Sequence, residues 1–341
     1  MPIIATFLLT FFVTFLLVFF LRKVAWKYNI VDNPGGRKVH LQATPLLGGV
    51  GIYLGLVIGL MVSSTDMGPF LPVMAGATLI LAVGLVEDIR GLSAQIRLIF
   101  QLLAATIIVG SGIKVSFLPN VVWGDIAEIL VTVIWLVGVT SAFNYLDGLD
   151  GLASGSAVIN LAAFSVILYS TGQYALGKLC IILIAACLGF LPHNFRIHQK
   201  MFLGEAGSTL LGFMLASIAL VGNWAEDNTV KLFIPILIIA VPIFDMIFTT
   251  IMRVREGKVK TVVQWLRYGG RDHFHHYLVS LGLPNVGAVI FIYFVSISLG
   301  IAAYMVSNDK AIEGLLALTQ TAITFCVIAI LILAQRRNFQ P

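Results

Sequence analysis

Long apolar runs separated by short polar segments follow one another along the whole chain. A transmembrane helix needs about 20 mostly apolar residues. The runs are continuous and do not alternate between apolar and polar positions, which disfavours a transmembrane β-barrel. The pattern therefore predicts an all-α, polytopic integral membrane protein with about eleven transmembrane helices. The predicted spans are Ile3–Leu21, Leu46–Ser63, Phe70–Val86, Ile96–Val109, Ile126–Phe143, Ser154–Tyr169, Leu176–His193, Ser208–Gly222, Leu232–Met252, Val286–Val306 and Leu315–Ala334.

Two of these spans carry further local signals. In the second span, Gly51, Gly55 and Gly59 repeat every four residues, and small residues at that spacing let membrane helices approach closely. The ninth span contains Pro242, which removes a backbone donor and should bend the helix.

Composition supports the membrane interpretation. The chain has 341 residues, of which 59% are hydrophobic and 11% are charged, whereas soluble domains are about 45–50% apolar and about 25% charged. These values exclude a cytosolic enzyme, a nucleic-acid-binding domain and a disordered chain. Because no repeat or soluble appendage interrupts the pattern, we interpret residues 1–341 as one transmembrane domain.

The distribution of Lys and Arg predicts the orientation. Seventeen of the 21 basic residues fall on one side of the predicted spans, and cytoplasmic loops carry the excess of basic residues in membrane proteins. The first apolar run has no basic residue before it and no obvious cleavage site, so we interpret it as a retained span. The N-terminus is then outside and the C-terminus cytoplasmic.

Five polar clusters lie on the predicted cytoplasmic side. They are Arg37-Lys38-Val39-His40, Glu87-Asp88, Asn144 to Gly151, Phe202 to Ser208, and Arg271 to His276. The first cluster precedes a glycine-rich helix start, where basic side chains suit a phosphate group; a simple membrane anchor is the alternative. The second places two adjacent acids at a span terminus, and its alternative is a solvated helix end.

The third and fourth clusters concentrate carboxylates among glycines. Asp147 and Asp150 are three residues apart, and no Lys or Arg lies within their loop. Paired carboxylates of this kind suggest a divalent cation or a proton role, with a double Asp-Gly turn as the alternative. Glu205 opens the eighth span, where it is also typical of a helix N-terminal acid, and Asn194 lies close to it in sequence.

The fifth cluster lies in the longest predicted cytoplasmic loop, residues 253–285. Three of the six histidines fall within four residues there, and imidazoles can hold phosphates or shuttle protons. A zinc site has no cysteine or further histidine nearby to complete it. Before the histidines, apolar residues at helical spacing predict a short interfacial amphipathic helix. These residues are Val259, Val262, Val263 and Leu266.

Together the clusters predict phosphate chemistry at the membrane. Carboxylates would hold Mg²⁺, and Mg²⁺ with basic groups would hold a nucleotide diphosphate. The rival interpretation is a cation-coupled transporter, whose acids should lie near mid-membrane. Only Asp245 is clearly within a predicted span, and it lies toward the cytoplasmic end, so a membrane enzyme is favoured.

Four of these motifs, in order along nearly the whole chain, resemble those of the polyprenyl-phosphate N-acetylhexosamine-1-phosphate transferases. The paired acids are Glu87-Asp88, and the Asn-x-x-Asp-Gly-x-Asp-Gly element begins at Asn144. The Phe-x-Gly-Asp-x-Gly-Ser element runs from Phe202, with Glu205 at the usual Asp position. The final element is the His-x-His-His motif that begins at His273, which looks like the UDP-GlcNAc branch, of the WecA and TagO type.

The resemblance implies a reaction in which undecaprenyl phosphate attacks the β-phosphate of a UDP-N-acetylhexosamine, most simply UDP-GlcNAc, and UMP leaves. It implies a multi-pass protein of the bacterial plasma (inner) membrane, with the active site on its cytoplasmic face. Expected partners are the UDP-sugar, polyprenyl phosphate and membrane lipid, and no nucleic acid; a homodimer is left open. The alternatives are a phospho-MurNAc-pentapeptide transferase and the transporter.

The resemblance also implies roles for individual residues. Mg²⁺, with Mn²⁺ as a substitute, would be held by Asn144 and Glu205. The expected catalytic residues are Glu87, Asp88, Asp147, Asp150, His273, His275 and His276. The expected substrate-binding residues are Arg37, Lys38, His40, Asn194, Phe202 and Arg271. Of these, Glu87 or Asp88 would deprotonate the lipid phosphate and Phe202 would stack on uracil. Glu87 and Glu205 each stand where Asp is common, which leaves open the division between metal ligand and base.

Overall fold

The structure is a computed structural model that describes residues 1–34, 42–66, 68–119, 121–196, 199–225, 228–268, 270, 272–307 and 311–338. These residues are almost entirely helical. The helices are α1 (Ile3–Lys27), α2 (Gly48–Val62), α3 (Leu71–Arg90), α4 (Ala94–Gly110), α5 (Val122–Leu146), α6 (Leu152–Ser170), α7 (Tyr174–Asn194), α8 (Gly204–Val221), α9 (Asn228–Ile238), α10 (Ala240–Arg255), α11 (Val262–Arg267), α12 (Phe274–Ser280), α13 (Asn285–Val306) and α14 (Ala311–Asn338). Two short strands, β1 (Val31–Asp32) and β2 (Thr44–Pro45), pair antiparallel, with Val31 opposite Pro45.

The all-α, polytopic prediction is confirmed. Eight helices of the described chain are long and apolar enough to cross a membrane, and α9 with α10 makes a ninth if that bent pair is one span. The remaining two predicted spans are the shorter apolar helices α2 and α4. The count of about eleven spans and the orientation of the termini stay predictions.

The ninth predicted span is broken, as the proline indicated. Helices α9 and α10 meet at an angle of 76°, and the interruption falls at Ile239. Pro242 has no N–H to donate to the carbonyl of Ile238, so the ladder loses a bond at this point. The bend turns α10 away from the axis of α9.

The glycines of α2 serve helix packing, as predicted. Thr14 and Thr10 of α1 lie against Gly55 and Gly59, and Val18 lies against Gly51. A Cβ at any of these glycines would collide with the facing side chain. The buried face of α1 is therefore a polar stripe that fits a groove of glycines.

Helix α8 is the most buried of these candidate spans, with 83% of its 18 residues inside the protein. At its start, Gly49 of α2 meets Gly207, and Gly84 of α3 meets Ala206, through backbone atoms. Since neither glycine leaves room for a side chain, the beginning of α8 is pressed against two neighbouring helices. This packing fixes the position of Glu205.

An apolar cluster separate from the main core joins the segment of the three histidines, residues 273–276, to the surrounding helices. It contains residues of α10, α12, α13 and α14, together with Leu146 at the end of α5. The predicted amphipathic helix is present but shorter than expected, since α11 begins at Val262. The expectation that Val259 belongs to it was wrong: Thr261 accepts a bond from the Gln264 N–H as N-cap, and Val259 lies buried before the helix.

Candidate active site

Glu205 lies at the centre of a bonded cluster drawn from three helices. Its Oε2 accepts a hydrogen bond of 2.7 Å from Asn144 Nδ2 and one of 2.9 Å from Arg97. Ser208 Oγ, one turn along α8, donates to Asn144 Oδ1 at 2.9 Å. The two residues predicted to hold metal are thus in direct contact, although 61 residues separate them in sequence.

Asp88 holds the start of α8. Its Oδ1 accepts from the backbone N–H of Glu205 at 2.8 Å, and its Oδ2 accepts from that of Ala206 at 3.1 Å. These N–H groups have no partner within a helix, so a carboxylate from another helix caps them. Gly204 has a φ of +77°, and a Cβ there would lie 2.5 Å from Asp88 Oδ2. The glycine therefore permits the capping.

Glu87 faces the same cluster from the end of α3. One of its carboxylate oxygens accepts from the Leu92 N–H, and the other lies 3.7 Å from Arg97. Arg97 consequently bridges Glu87 and Glu205. Sequence reasoning did not assign Arg97 to the site. Glu87 is close to it in sequence, but the contact with Glu205 spans 108 residues and leaves no local pattern.

The Asp147 and Asp150 carboxylates occupy different surroundings. Asp147 directly follows α5 as its C-cap residue and is exposed to solvent. The surrounding protein, with the nearby Glu205 and Asp150 carboxylates, raises its pKa to about 7. Asp150 pairs with Lys200. The expectation of two carboxylates without a counter-charge is therefore wrong for Asp150, since the α7–α8 connection supplies a cation.

Asn194 and Phe202 flank this turn. Asn194 is buried, and its amide accepts from the Gly151 N–H at 2.6 Å and donates to the Met201 carbonyl at 2.9 Å. Its observed contacts thus tie two loops together. The Phe202 ring is half-buried, with the Lys200 ammonium 5.3 Å from its centroid. The predicted binding residues Arg37, Lys38, His40 and Arg271 lie outside the described residues.

The three histidines occupy distinct positions. His273 precedes α12 and lies in a buried polar group with Asp245, Arg253 and Asp272. His275 is fully buried against Gly148, and neither ring nitrogen has a hydrogen-bond partner in the described part of the chain. Burial lowers its pKa to about 3, so the ring is neutral.

The His276 ring centroid lies 4.2 Å from that of His275. Because His275 packs on Gly148, the histidine segment reaches the loop that carries Asp147.

A cavity of about 570 Å³ opens beside Glu205, and its lining follows α5 from Val133 to Tyr145. Its polar end contains Arg97, Gln101, Asn144, Glu205 and Thr209. Its remaining walls are mostly apolar and come from α3, α4, α5, α10 and α11; among them are Ile80, Leu98, Leu102, Val133, Ile134, Val137, Met246, Ile247, Ile251 and Leu266. The cavity therefore joins a charged end to a long apolar wall.

The donor groups fit a hard divalent cation. Asn144 Nδ2 donates to the Glu205 carboxylate while its Oδ1 accepts from Ser208, so a rotation of the amide would turn Oδ1 toward a cation beside Glu205. The Asp147 carboxylate is close enough to Glu205 for its pKa to be raised. In the described chain, no three His, Cys, Asp or Glu side chains already form a metal cage. Mg²⁺ commonly takes one or two carboxylates and completes its shell with water and substrate phosphates, so these residues suit it.

The chain is similar to a known family and to several bacterial proteins. Residues 70–223 match the model of glycosyl transferase family 4. The chain is 33% identical, over 84% of its length and 80% of the relative, to a probable undecaprenyl-phosphate N-acetylglucosaminyl 1-phosphate transferase of Bacillus subtilis.

Two further relatives have similar names. One is a decaprenyl-phosphate N-acetylglucosaminephosphotransferase of Mycolicibacterium smegmatis, 31% identical over 80% of this chain and 74% of the relative. The other is an undecaprenyl-phosphate alpha-N-acetylglucosaminyl 1-phosphate transferase of Escherichia coli, 29% identical over 80% and 76%.

Proposed function

Since the chain belongs to the polyprenyl-phosphate N-acetylglucosamine-1-phosphate transferases, we propose that it transfers GlcNAc-1-phosphate from UDP-GlcNAc to undecaprenyl phosphate and releases UMP. The product is a lipid diphospho-sugar that starts a cell-envelope glycan. The protein is a multi-pass membrane protein; we place it in the bacterial inner membrane with its site toward the cytoplasm, because 17 of its 21 basic residues fall on that side.

The observation that carries the proposal is the cavity with one charged end and a long apolar wall. A polyprenyl phosphate has the same division, since its chain is hydrocarbon and its head is an anion. The isoprenoid chain would lie along α4, α5 and α10, where Leu102, Val133 and Ile247 form the wall. Its phosphate would then reach Arg97 and Glu205.

The donor would enter from the side of the Asp147 and histidine segments. In the reaction, an oxygen of the lipid phosphate forms a bond to the β-phosphorus of UDP-GlcNAc, and the bond from that phosphorus to the oxygen of the α-phosphate breaks. The departing UMP retains that oxygen. Charge grows on the α-phosphate as the bond breaks, so a cation that remains in place throughout accelerates transfer.

The chain's own residues supply this environment. Arg97 presents a guanidinium at the polar end of the cavity, held between Glu87 and Glu205. Asn144, Glu205 and Asp147 would hold Mg²⁺, which when bound supplies charge neutralisation for the diphosphate. Asp88 keeps the Glu205 backbone in place, and Lys200 with Phe202 offers a cation and an aromatic face to the nucleotide.

A UMP-release assay tests the function. Purified protein in lipid nanodiscs receives undecaprenyl phosphate with either UDP-GlcNAc or UDP-MurNAc-pentapeptide, with and without EDTA. We expect UMP and lipid-linked GlcNAc from UDP-GlcNAc alone, and no turnover in excess EDTA. Turnover of only the pentapeptide nucleotide would overturn the choice of sugar, and full turnover in EDTA would overturn the metal.

A matched pair of variants tests the site. Arg97→Met removes the cation at the polar end and should lower kcat by about a hundredfold, which corresponds to about 2.7 kcal/mol. Arg90→Met makes the same change at an exposed residue, the last of α3, and should retain activity. Equal activity in both variants would remove Arg97 from the site.

A further inference from the structure

One face of α10 is bonded to the start of the histidine segment. Asp245, Thr249 and Arg253 repeat every four residues and so share this face. Thr249 Oγ1 lies 3.1 Å from Asp245 Oδ1 and 3.2 Å from the Asp272 carbonyl oxygen. Arg253 donates two bonds to the Asp272 carboxylate, of 2.9 and 2.7 Å. Side chains of α10 therefore hydrogen-bond the segment 272–274 at several points.

Asp245 supplies a cap for α12. Its side chain is fully buried, and its Oδ1 accepts from the Phe274 N–H at 2.6 Å. Phe274 is the first residue of α12, whose N-cap residue, His273, makes no side-chain cap bond. A carboxylate from α10 thus satisfies an N–H group that the helix itself leaves free.

The same carboxylate faces the His273 ring. His273 Nε2 lies 3.2 Å from Arg253, whose guanidinium can only donate. Nε2 must therefore accept, and the proton of the neutral ring belongs on Nδ1, which lies 3.3 Å from Asp245 Oδ2. Neither Nδ1 nor Oδ2 has a hydrogen-bond partner among the described residues, so the two atoms face one another at an electrostatic distance without a formed hydrogen bond. The Tyr145 ring stacks on this imidazole with centroids 4.9 Å apart. Both ring nitrogens are thus directed at protein groups rather than at the cavity.

We propose that Asp245 is a positioning residue that fixes His273 in the Nδ1–H tautomer and, with it, the start of α12. The inference rests on the proposed function and deepens it. His273 then anchors the motif, while His275, packed on Gly148, and His276 are the members held toward the Asp147 loop. Sequence motifs alone do not separate these three histidines.

The other side of α10 gives the proposal a kinetic signature. Met246 and Ile247 line the apolar cavity, whereas Asp245 points into the buried group. A change at Asp245 should therefore lower kcat through the histidines and leave the KM for polyprenyl phosphate within about twofold.

The first test reads the tautomer directly. Asp245→Asn can still accept from Phe274, but its amide nitrogen would donate to His273 Nδ1. The ring proton must then move to Nε2, where the Nε2–H would face an N–H group of the Arg253 guanidinium, so that two donors meet. In protein carrying ¹⁵N-histidine, without substrate, we expect an Nδ1–H signal that His273→Gln removes and Asp245→Asn converts to Nε2–H. An Nε2–H signal from wild-type His273 would overturn the proposal.

The second test is a double-mutant cycle in the UMP-release assay. We expect Asp245→Asn to lower kcat by about tenfold or more, and to cause no further loss in the His273→Gln background. Losses that multiply, or an unchanged kcat in Asp245→Asn, would overturn the proposal. Asp66→Asn is the matched control and should retain full activity. Among the described residues its carboxylate accepts from the Gly68 N–H alone, in a loop far along the chain from the motif.

The two tests separate this inference from the proposed function. The tautomer is measured on resting protein, so its outcome stands whether or not UDP-GlcNAc is the donor. Failure of wild-type protein to release UMP would overturn the function and leave the tautomer assignment untouched.

Discussion

At the residue scale, the Asp88 carboxylate fixes the backbone of a second acidic residue, Glu205, which lies 117 residues away in sequence. Asp88 holds the backbone of Glu205, and the Glu205 side chain in turn meets Asn144 and Arg97. A change at Asp88 should therefore act through the position of Glu205 as well as through any proton that Asp88 accepts.

Asp88→Asn should lower both stability and activity. The amide would present a donor to one of the two α8 N–H groups, and a buried donor left without an acceptor costs about 1–3 kcal/mol. A phosphomonoester loses its second proton near pH 6, so a defect in a base alone should fade as the pH rises. We expect a loss of UMP release that persists at pH 8, with a lowered Tm. Recovery at high pH with an unchanged Tm would instead assign Asp88 as the base.

Asp147 predicts a pH dependence of stability. Its pKa is about 7 in the folded protein against an ordinary value of 3.8. Between these values the folded state binds more protons than the unfolded chain, so the free energy of unfolding falls as the pH rises through this window. Asp147→Asn lacks this contribution. Melting curves of metal-free protein should show wild type losing Tm relative to the variant from about pH 4 to pH 7; parallel curves would contradict the prediction.

Sequence reasoning found the motif residues at this scale but not their partners. Asn144 and Glu205 were predicted together because each carries a family motif, and they do touch. Lys200 and Arg97 were not assigned, because an ion pair between distant segments leaves no local pattern. Asp245 stood out only as an acid within an apolar run, and its contact with His273 depends on how α10 turns.

At the element scale, the helices followed from the apolar runs because each run has few other ways to satisfy its backbone in lipid. The bend between α9 and α10 followed from a proline. The start of α11 did not follow from the apolar spacing. That spacing included Val259, whereas the N-cap bond of Thr261 makes the helix begin at Val262. Short interfacial helices depend on such single bonds more than long spans do.

The crossing of α2 and α8 gives a prediction of its own. A Cβ on Gly49 would collide with the Gly207 backbone, so Gly49→Ala should push the start of α8 away and cost about 1–3 kcal/mol. Since Glu205 lies in that turn, UMP release should also fall. Gly110→Ala is the matched control, because nothing lies within 4 Å of the added carbon. A lower Tm in the Gly49 variant alone is expected; equal Tm values would contradict the packing argument.

At the scale of the whole molecule, the site lies at one end of the helices. Glu87 and Asp88 end α3, Asn144 lies near the end of α5, and Glu205 begins α8. Asn144 and Asp88 are hydrogen-bonded to Glu205, and Arg97 connects Glu87 to it. The sequence predicted this shared side from the basic residues. It did not predict the cavity, whose walls come from six helices that only tertiary packing brings together.

Cysteine labelling of intact cells tests the orientation. In a Cys326→Ser background the other two cysteines are buried. Ser64→Cys, after α2, should react with a membrane-impermeant maleimide from outside, and Arg90→Cys, at the end of α3, should react only after permeabilisation. The reverse pattern would place the site on the outer face.

The two short helices beside the site have a consequence for the surrounding lipid. With 15 and 17 residues, α2 and α4 extend about 22 and 26 Å, whereas the hydrocarbon core of a bilayer is about 30 Å thick. A hydrophobic length below that of the bilayer is met by local thinning, at a fraction of a kcal/mol per Å. Helix α2 is mostly buried among other helices, whereas α4 leaves most of its residues at least partly exposed and carries Arg97, which contacts Glu205. The mismatch with the lipid therefore arises at α4. The bilayer should therefore dip there, and a lipid phosphate at its surface would descend toward the cavity without leaving the headgroup layer.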